Sequence, residues 1–208
     1  MSIRLFVADD RDLVRAGLRR FVAGTDVEII GESTVKDAAT LITNHPAVQL
    51  LTLGIEPPGT EGLAVLDKLN AIPARPHCLI YVARTSAEMI AQAIANGANG
   101  LLLHDANRET FLEGVQRLLT GESLWSREDL RRAGAASRLT DATSDVQLTK
   151  RESEVIVKMV DGLTNKQIAQ SLEISYETVK EHVQHILRKI GVTDRTQAAV
   201  WAVRNGLA

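Results

Sequence analysis

Two short stretches carry side chains whose types and spacing could do chemistry. The first is Asp9-Asp10, two acids directly after the apolar run IRLFVA. Adjacent carboxylates at the end of a strand can ligate a hard divalent cation, cap the helix that follows, or pair with nearby bases. The second is TNKQIAQSLEISYETVKEHVQHILRKI, residues 164–190. In its second half Lys180, Glu181, Gln184 and Arg188 share one helical stripe, flanked by Thr178, His182, His185 and Lys189. Long hydrogen-bonding side chains so placed reach base edges in a major groove, and the flanking groups reach phosphates. The opposite stripe, Val179, Val183, Ile186, Leu187 and Ile190, is apolar and faces inward. Lys166, in the first turn of the preceding helix, adds an ammonium where backbone N–H groups already favour an anion. The plainer alternative is that these are solvated faces of a small helical bundle.

The elements that must position these residues follow from periodicity. Apolar runs at 3–8, 27–32, 48–53, 78–83 and 100–104 alternate with amphipathic stretches near 11–23, 36–44, 61–71, 86–96 and 107–120. Five strand–helix repeats predict an α/β fold, a doubly wound five-stranded parallel sheet with helices on both faces. Continuous rather than alternating apolar strands fit a sheet buried on both sides. Beyond residue 121 the pattern breaks. SREDLRRAGAA predicts one helix and SRLTDATSD reads as a linker. From Leu148 the strands vanish and helix starts become explicit: Thr149-x-x-Glu152 and Thr164-x-x-Gln167 are capping-box patterns, Ser175 is a third N-cap, and Asp194-x-x-Gln197 a fourth. Two short helices around a tight turn give a small all-α helix-turn-helix domain. The expected domains are 1–121, a partly helical linker 122–146, and 147–208.

Composition bounds the function. The chain has 208 residues, a net charge of −2 and a single cysteine, Cys78, so zinc sites built on paired cysteines are excluded. The near-neutral charge means that any nucleic-acid binding must come from a local patch. No apolar run approaches the ~20 residues of a membrane helix. The expectation is a cytoplasmic protein without a membrane partner. No phosphate-binding glycine loop, nucleotide fingerprint, histidine cluster or nucleophile–base pair is present, so no catalytic residue is assigned and an enzyme is not expected.

The residues from Leu148 to Val203 resemble the DNA-binding domain of LuxR/NarL-type transcription regulators. The landmarks are Leu148-Thr149-x-Arg151-Glu152, Gly162-x-x-Asn165-Lys166-x-Ile168-Ala169, Ile174-Ser175-x-x-Thr178-Val179-Lys180-x-His182-Val183, and Gly191-Val192-x-x-Arg195-x-x-Ala198. The resemblance implies a recognition helix at 176–190. It carries Lys166 and Lys180 over as DNA contacts, with Thr178 and His182 as backbone partners. Val179, Glu181, Gln184, Arg188 and Lys189 complete the expected DNA-binding set. An acid at 181 departs from the usual pattern; it can accept from cytosine N4 but repels phosphate. The last helix, with Ala198, Trp201 and Ala202, is implied to carry the dimer contact. Double-stranded DNA and a second copy of the chain are the expected partners, because one such helix covers few base pairs.

Residues 3–120 resemble a response-regulator receiver, through Asp9-Asp10, Val14-Arg15-x-Gly17-Leu18, LLTLGIEPPGTEGL, Gly97-Ala98-x-Gly100 and LLLHDA. The resemblance implies one reaction: an aspartate ending the third strand takes a phosphoryl group, Mg²⁺ neutralises it, and a hydroxyl and a lysine from the fourth and fifth strands bind it. On this reading Thr52 stands at the acceptor position, Val82 at the hydroxyl position and His104 at the lysine position. Each replacement removes a function: threonine is neutral, valine has no donor, and histidine is mostly uncharged at pH 7. The pocket of Asp9, Asp10, Thr52, Val82 and His104 is therefore expected to be degenerate. Neither a phosphoacceptor nor a metal or other cofactor is expected in it. Asp9 and Asp10 are read as structural, capping at residue 11 and pairing with Arg11, Arg15 or His104, with Glu56 beyond the strand end as an alternative carboxylate. The resemblance places receiver pairing on helix 86–96, strand 100–103 and helix 107–120.

Three readings stay open: a DNA-binding regulator independent of aspartyl phosphorylation, the same regulator switched by a ligand or unusual modification, and a protein-interaction module that no longer reads DNA. In each, a regulatory protein partner can dock on the receiver.

Overall fold

The computed structural model describes residues 2–44, 47–56, 60–72, 75–137, 146 and 148–207. Among them the chain forms two compact units, Met1–Thr85 with Ala98–Leu124, and Ser86–Gly97 with Trp125–Ala208.

The first unit is built on β1 (Ile3–Ala8), β2 (Val27–Ser33), β3 (Leu50–Gly54), β4 (His77–Val82) and β5 (Gly100–Leu103). All pairs are parallel, as the alternation predicted, and the order is β2-β1-β3-β4-β5. Helices α1 (Asp12–Val22), α2 (Ala38–Thr43), α3 (Thr60–Leu69) and α5 (Arg108–Leu119) connect or follow the strands, and α4 (Ala87–Ala95) links β4 to β5. On one face of the sheet Leu5 and Val7, Leu50, and Leu79 and Tyr81 pack with Leu18 and Val22 of α1 and Phe111, Val115 and Leu118 of α5. These residues alternate along their strands, as a two-residue period requires.

The second unit holds α4 together with α6 (Arg127–Ser137), α7 (Lys150–Val160), α8 (Asn165–Leu172), α9 (Tyr176–Ile190) and α10 (Arg195–Arg204). Helix α6 realises the helix expected at SREDLRRAGAA, while most of the linker SRLTDATSD lies outside the described residues. Helix α4 packs on α6 and α10, and Gln197 Nε2 donates to the carbonyls of Ile94 and Ala95 at 3.4 and 3.1 Å.

Caps fix where the helices begin. Thr149 and Glu152 close a capping box on α7, and Thr164 and Gln167 one on α8, each satisfying two N–H groups that a helix start leaves open. Ser175 caps α9 by accepting from Thr178 N. Asp194 caps α10 through Thr196 N and Gln197 N, but Gln197 turns back to Thr193 N rather than to the cap residue, so no box forms there. Glu173 ends α8 in the left-handed region, at φ 52°, a conformation that disfavours side chains other than glycine.

One acid joins two of these helices. Glu152 is buried; its Oε2 accepts from Thr149 N at 2.7 Å and from Lys189 Nζ of α9 at 2.9 Å. The Thr149 hydrogen bond and then Lys189, working against burial, lower its pKa from 4.5 to about 2. A carboxyl depressed on folding stabilises the fold fully above its unfolded pKa and loses that contribution as pH falls from 4.5 towards 2. Glu152→Ala is therefore expected to destabilise the helical unit at pH 7 by about 1–3 kcal/mol. The gap between variant and parent in chemical denaturation should narrow through that acid range, and a gap independent of pH would contradict the assignment.

Candidate receiver pocket and nucleic-acid interface

The parallel register decides what stands at the carboxyl end of the sheet. Thr52 is the middle residue of β3, paired with Val7 on β1 and Leu79 on β4, and both neighbours belong to the apolar layer under α1 and α5. It is 1% exposed and its hydroxyl has no hydrogen-bond partner. The residue that ends β3 is Gly54, two positions on, paired with Tyr81. A Cβ built on Gly54 would collide with the carboxylate of Asp9, lying 2.6 Å from its carbon. The placement of Thr52 at the mouth of the pocket is thus corrected: the position that faces Asp9 is Gly54, and it brings no side chain. A two-residue shift keeps the face and moves the site about 7 Å along the strand.

Around Gly54 the charges are tightly paired. Asp9 is 2% exposed, and Arg11 grips it with both arms: Nε to Oδ1 and Nη2 to Oδ2, each 2.9 Å, with the backbone N–H of Arg11 also on Oδ1 at 2.9 Å. Nη1 of the same guanidinium lies 2.5 Å from Oε1 of Glu56. Its two terminal nitrogens lie 3.1 and 3.5 Å from the ring nitrogens of His104, only one of which can be an acceptor in a neutral imidazole. The hydrogen bond to Asp9, and then the charges of Asp9, Glu56 and Asp10, raise the pKa of Arg11 in spite of its burial. Fork-to-carboxylate geometry of this kind makes charge-assisted bonds roughly twice as strong as neutral ones and fixes their direction.

The expected roles of the acids change in detail. Asp9 meets the N–H of residue 11, but Asp10 does not cap α1; its Oδ1 accepts from Val35 N at 2.9 Å, beyond β2. Arg15 donates to the backbone carbonyl of Asp9 and pairs with Asp12, leaving the Asp9 carboxylate to Arg11. His104 touches the guanidinium rather than an acid, with its ring 4.6 Å from that of Tyr81. Val82 is fully buried at the end of β4. Glu56, only an alternative on sequence grounds, is a full member of the cluster. Its signal is position, the second residue past the strand end.

On α9 the inward stripe is as periodicity predicted: Val179 and Ile186 are buried, and Val183, Leu187 and Ile190 half-buried. Lys180, Glu181, Gln184, His185 and Arg188 are exposed along the opposite side, with Lys166 exposed at the start of α8. Three expected contact residues, Val179, Ala198 and Ala202, are buried. Val179 is fully buried and cannot meet DNA. Lys189 pairs with Glu152 while its side chain stays 37% exposed, so the pairing does not take it out of the expected set. Ala198 and Ala202, expected at a dimer contact, are fully buried within the chain, while Trp201 is half-buried. Thr178 lies 2.8 Å from Ser175, hydroxyl to hydroxyl, inside the α9 cap, and His182 is half-buried beside the exposed stripe.

Two stretches of the chain match known families. Residues 5–116 match the response regulator receiver domain, and residues 146–202 the luxR family of bacterial regulatory proteins. The chain is 31% identical to the nitrate/nitrite response regulator protein NarL of Escherichia coli over 201 residues, covering 95% of this chain and 93% of that one. It is 32% identical to the transcriptional regulatory protein LiaR of Bacillus subtilis, covering 99% of each. The crystal structure of the response regulator ChrA, from a heme-sensing two-component system, superposes with a TM-score of 0.50 at 30% identity, covering 100% of this chain and 99% of that one.

The chain belongs to the LuxR/NarL family of response regulators.

It is thus a DNA-binding transcriptional regulator of two-component type. No helix among the described residues is long and apolar enough to cross a membrane. Two outcomes follow for this response regulator. Lys180→Ala should weaken binding to duplex DNA and reduce the slope of log affinity against log salt by about 1, because one phosphate is no longer neutralised. An unchanged slope would remove Lys180 from the interface. Thr52→Val replaces a buried, unpartnered hydroxyl by a methyl of the same shape. It should stabilise the receiver unit by about 1 kcal/mol, read as a rise of roughly 2–4 °C in melting temperature. A fall would mean that the hydroxyl has a partner the fold depends on.

Proposed function

We propose that this response regulator binds DNA through α9 without aspartyl phosphorylation of its receiver. The observation that carries the reading is Gly54. The residue ending β3 beside the acidic pair has no side chain, so nothing there can attack a phosphoryl donor. The supporting changes run the same way: Val82 has no donor and His104 is engaged with Arg11. Thr52 offers no substitute nucleophile, because it is buried in the apolar layer and its hydroxyl meets no base.

The active form on DNA is proposed to be a homodimer on paired half-sites, since the exposed stripe of one α9 spans only a few base pairs. Pairing through α10 would centre on Trp201 rather than on Ala198 and Ala202, which lie in the chain's own core. Incubation of the full chain with acetyl phosphate and Mg²⁺, followed by intact mass and DNA titration, tests the central claim. No mass gain and an unchanged affinity are expected. A gain of one phosphate together with tighter DNA binding would defeat it.

A further inference from the structure

Receivers of this family use a divalent cation, and the residues present here do not fit one. Both oxygens of Asp9 are occupied by Arg11 at 2.9 Å. One oxygen of Asp10 is taken by the N–H of Val35. Glu56 is bound to the same guanidinium at 2.5 Å. Gly54 contributes no ligand atom from a side chain, and a side chain there would strike Asp9. A hard cation needs oxygen lone pairs that converge on it; here both oxygens of the buried Asp9 and one oxygen each of Asp10 and Glu56 already face N–H groups.

We propose that Arg11 is the resident cation of this pocket: its guanidinium holds the ground between Asp9 and Glu56 that a divalent ion would need, and keeps the ion out. Arginine suits the place because its planar fork meets a carboxylate with two parallel bonds and still presents a third nitrogen to a second acid. A lysine ammonium is a single point and could not span both. The substitute is covalently attached, so it competes at an effective concentration that a freely diffusing ion cannot match. It also ties together three places: the β1–α1 turn through Asp9, the end of β3 through Glu56, and the end of β5 through His104. Their setting then depends on the chain itself rather than on a bound ion or phosphate.

The proposal deepens the phosphorylation-independent reading by naming what fills the site, and it is tested separately. Binding of Mn²⁺ to the full-length chain at pH 7, followed by the electron paramagnetic resonance of the free ion, is the readout. Arg11→Ala uncovers two carboxylates and is expected to bind Mn²⁺ at least about tenfold more tightly than the parent. Adding Glu56→Gln to that variant should remove most of the gain, which assigns it to this pocket. Arg11→Gln, closer in length, serves if the alanine variant does not fold. Equal affinity of parent and Arg11 variants, whether tight or negligible, overturns the proposal, as does a gain insensitive to Glu56→Gln. Phosphate incorporation by the parent would defeat the earlier reading and leave this comparison to stand or fall alone.

Discussion

The receiver unit turns on a single guanidinium. Arg11 meets a buried aspartate with two hydrogen bonds and reaches a second acid with its remaining nitrogen. A buried carboxylate without a partner is strongly destabilising, so Asp9 needs a cation whatever else the pocket does. A pocket that borrows its cation from solution can respond to what arrives with it. Here the buried Asp9 has its cation on its own chain, in Arg11. The absence of a side chain on Gly54 belongs to the same solution, because the Asp9 carboxylate occupies the space that a Cβ would take.

The helical unit rests on a different principle. Its helices are short, between 8 and 15 residues from α7 to α10, and helices of that length are marginal alone. Each begins at a side-chain cap. Glu152 does two jobs, closing the α7 cap and holding Lys189 at the far end of α9. Fixing α9 at its base leaves the exposed stripe of Lys180, Glu181, Gln184 and Arg188 on a firm support.

Burial also redistributes roles along α10. Alanines at 198 and 202 allow close packing, and the chain uses that closeness itself. Gly134 of α6 approaches Val203 in the same way, since a Cβ there would lie 3.0 Å from its side chain. Small residues on a helix mark an intimate neighbour without saying whose helix it is.

The sequence alone determined the strand–helix alternation, the sheet, the caps of the last four helices and the two faces of α9, because periodicity and capping are local and written residue by residue. It also pointed to Asp9 and to Arg11 as its partner. What it could not decide was register. Thr52 and Gly54 share a face of β3, and only the pairing with β1 and β4 shows which of them stands beside Asp9. Nor could it tell that Lys189 is paired with Glu152, or that Ala198 and Ala202 are core, since those partners lie far apart in the chain or on helices whose packing is not local. Which lone pair meets which N–H is a matter of a few ångströms, and tertiary structure sets that distance.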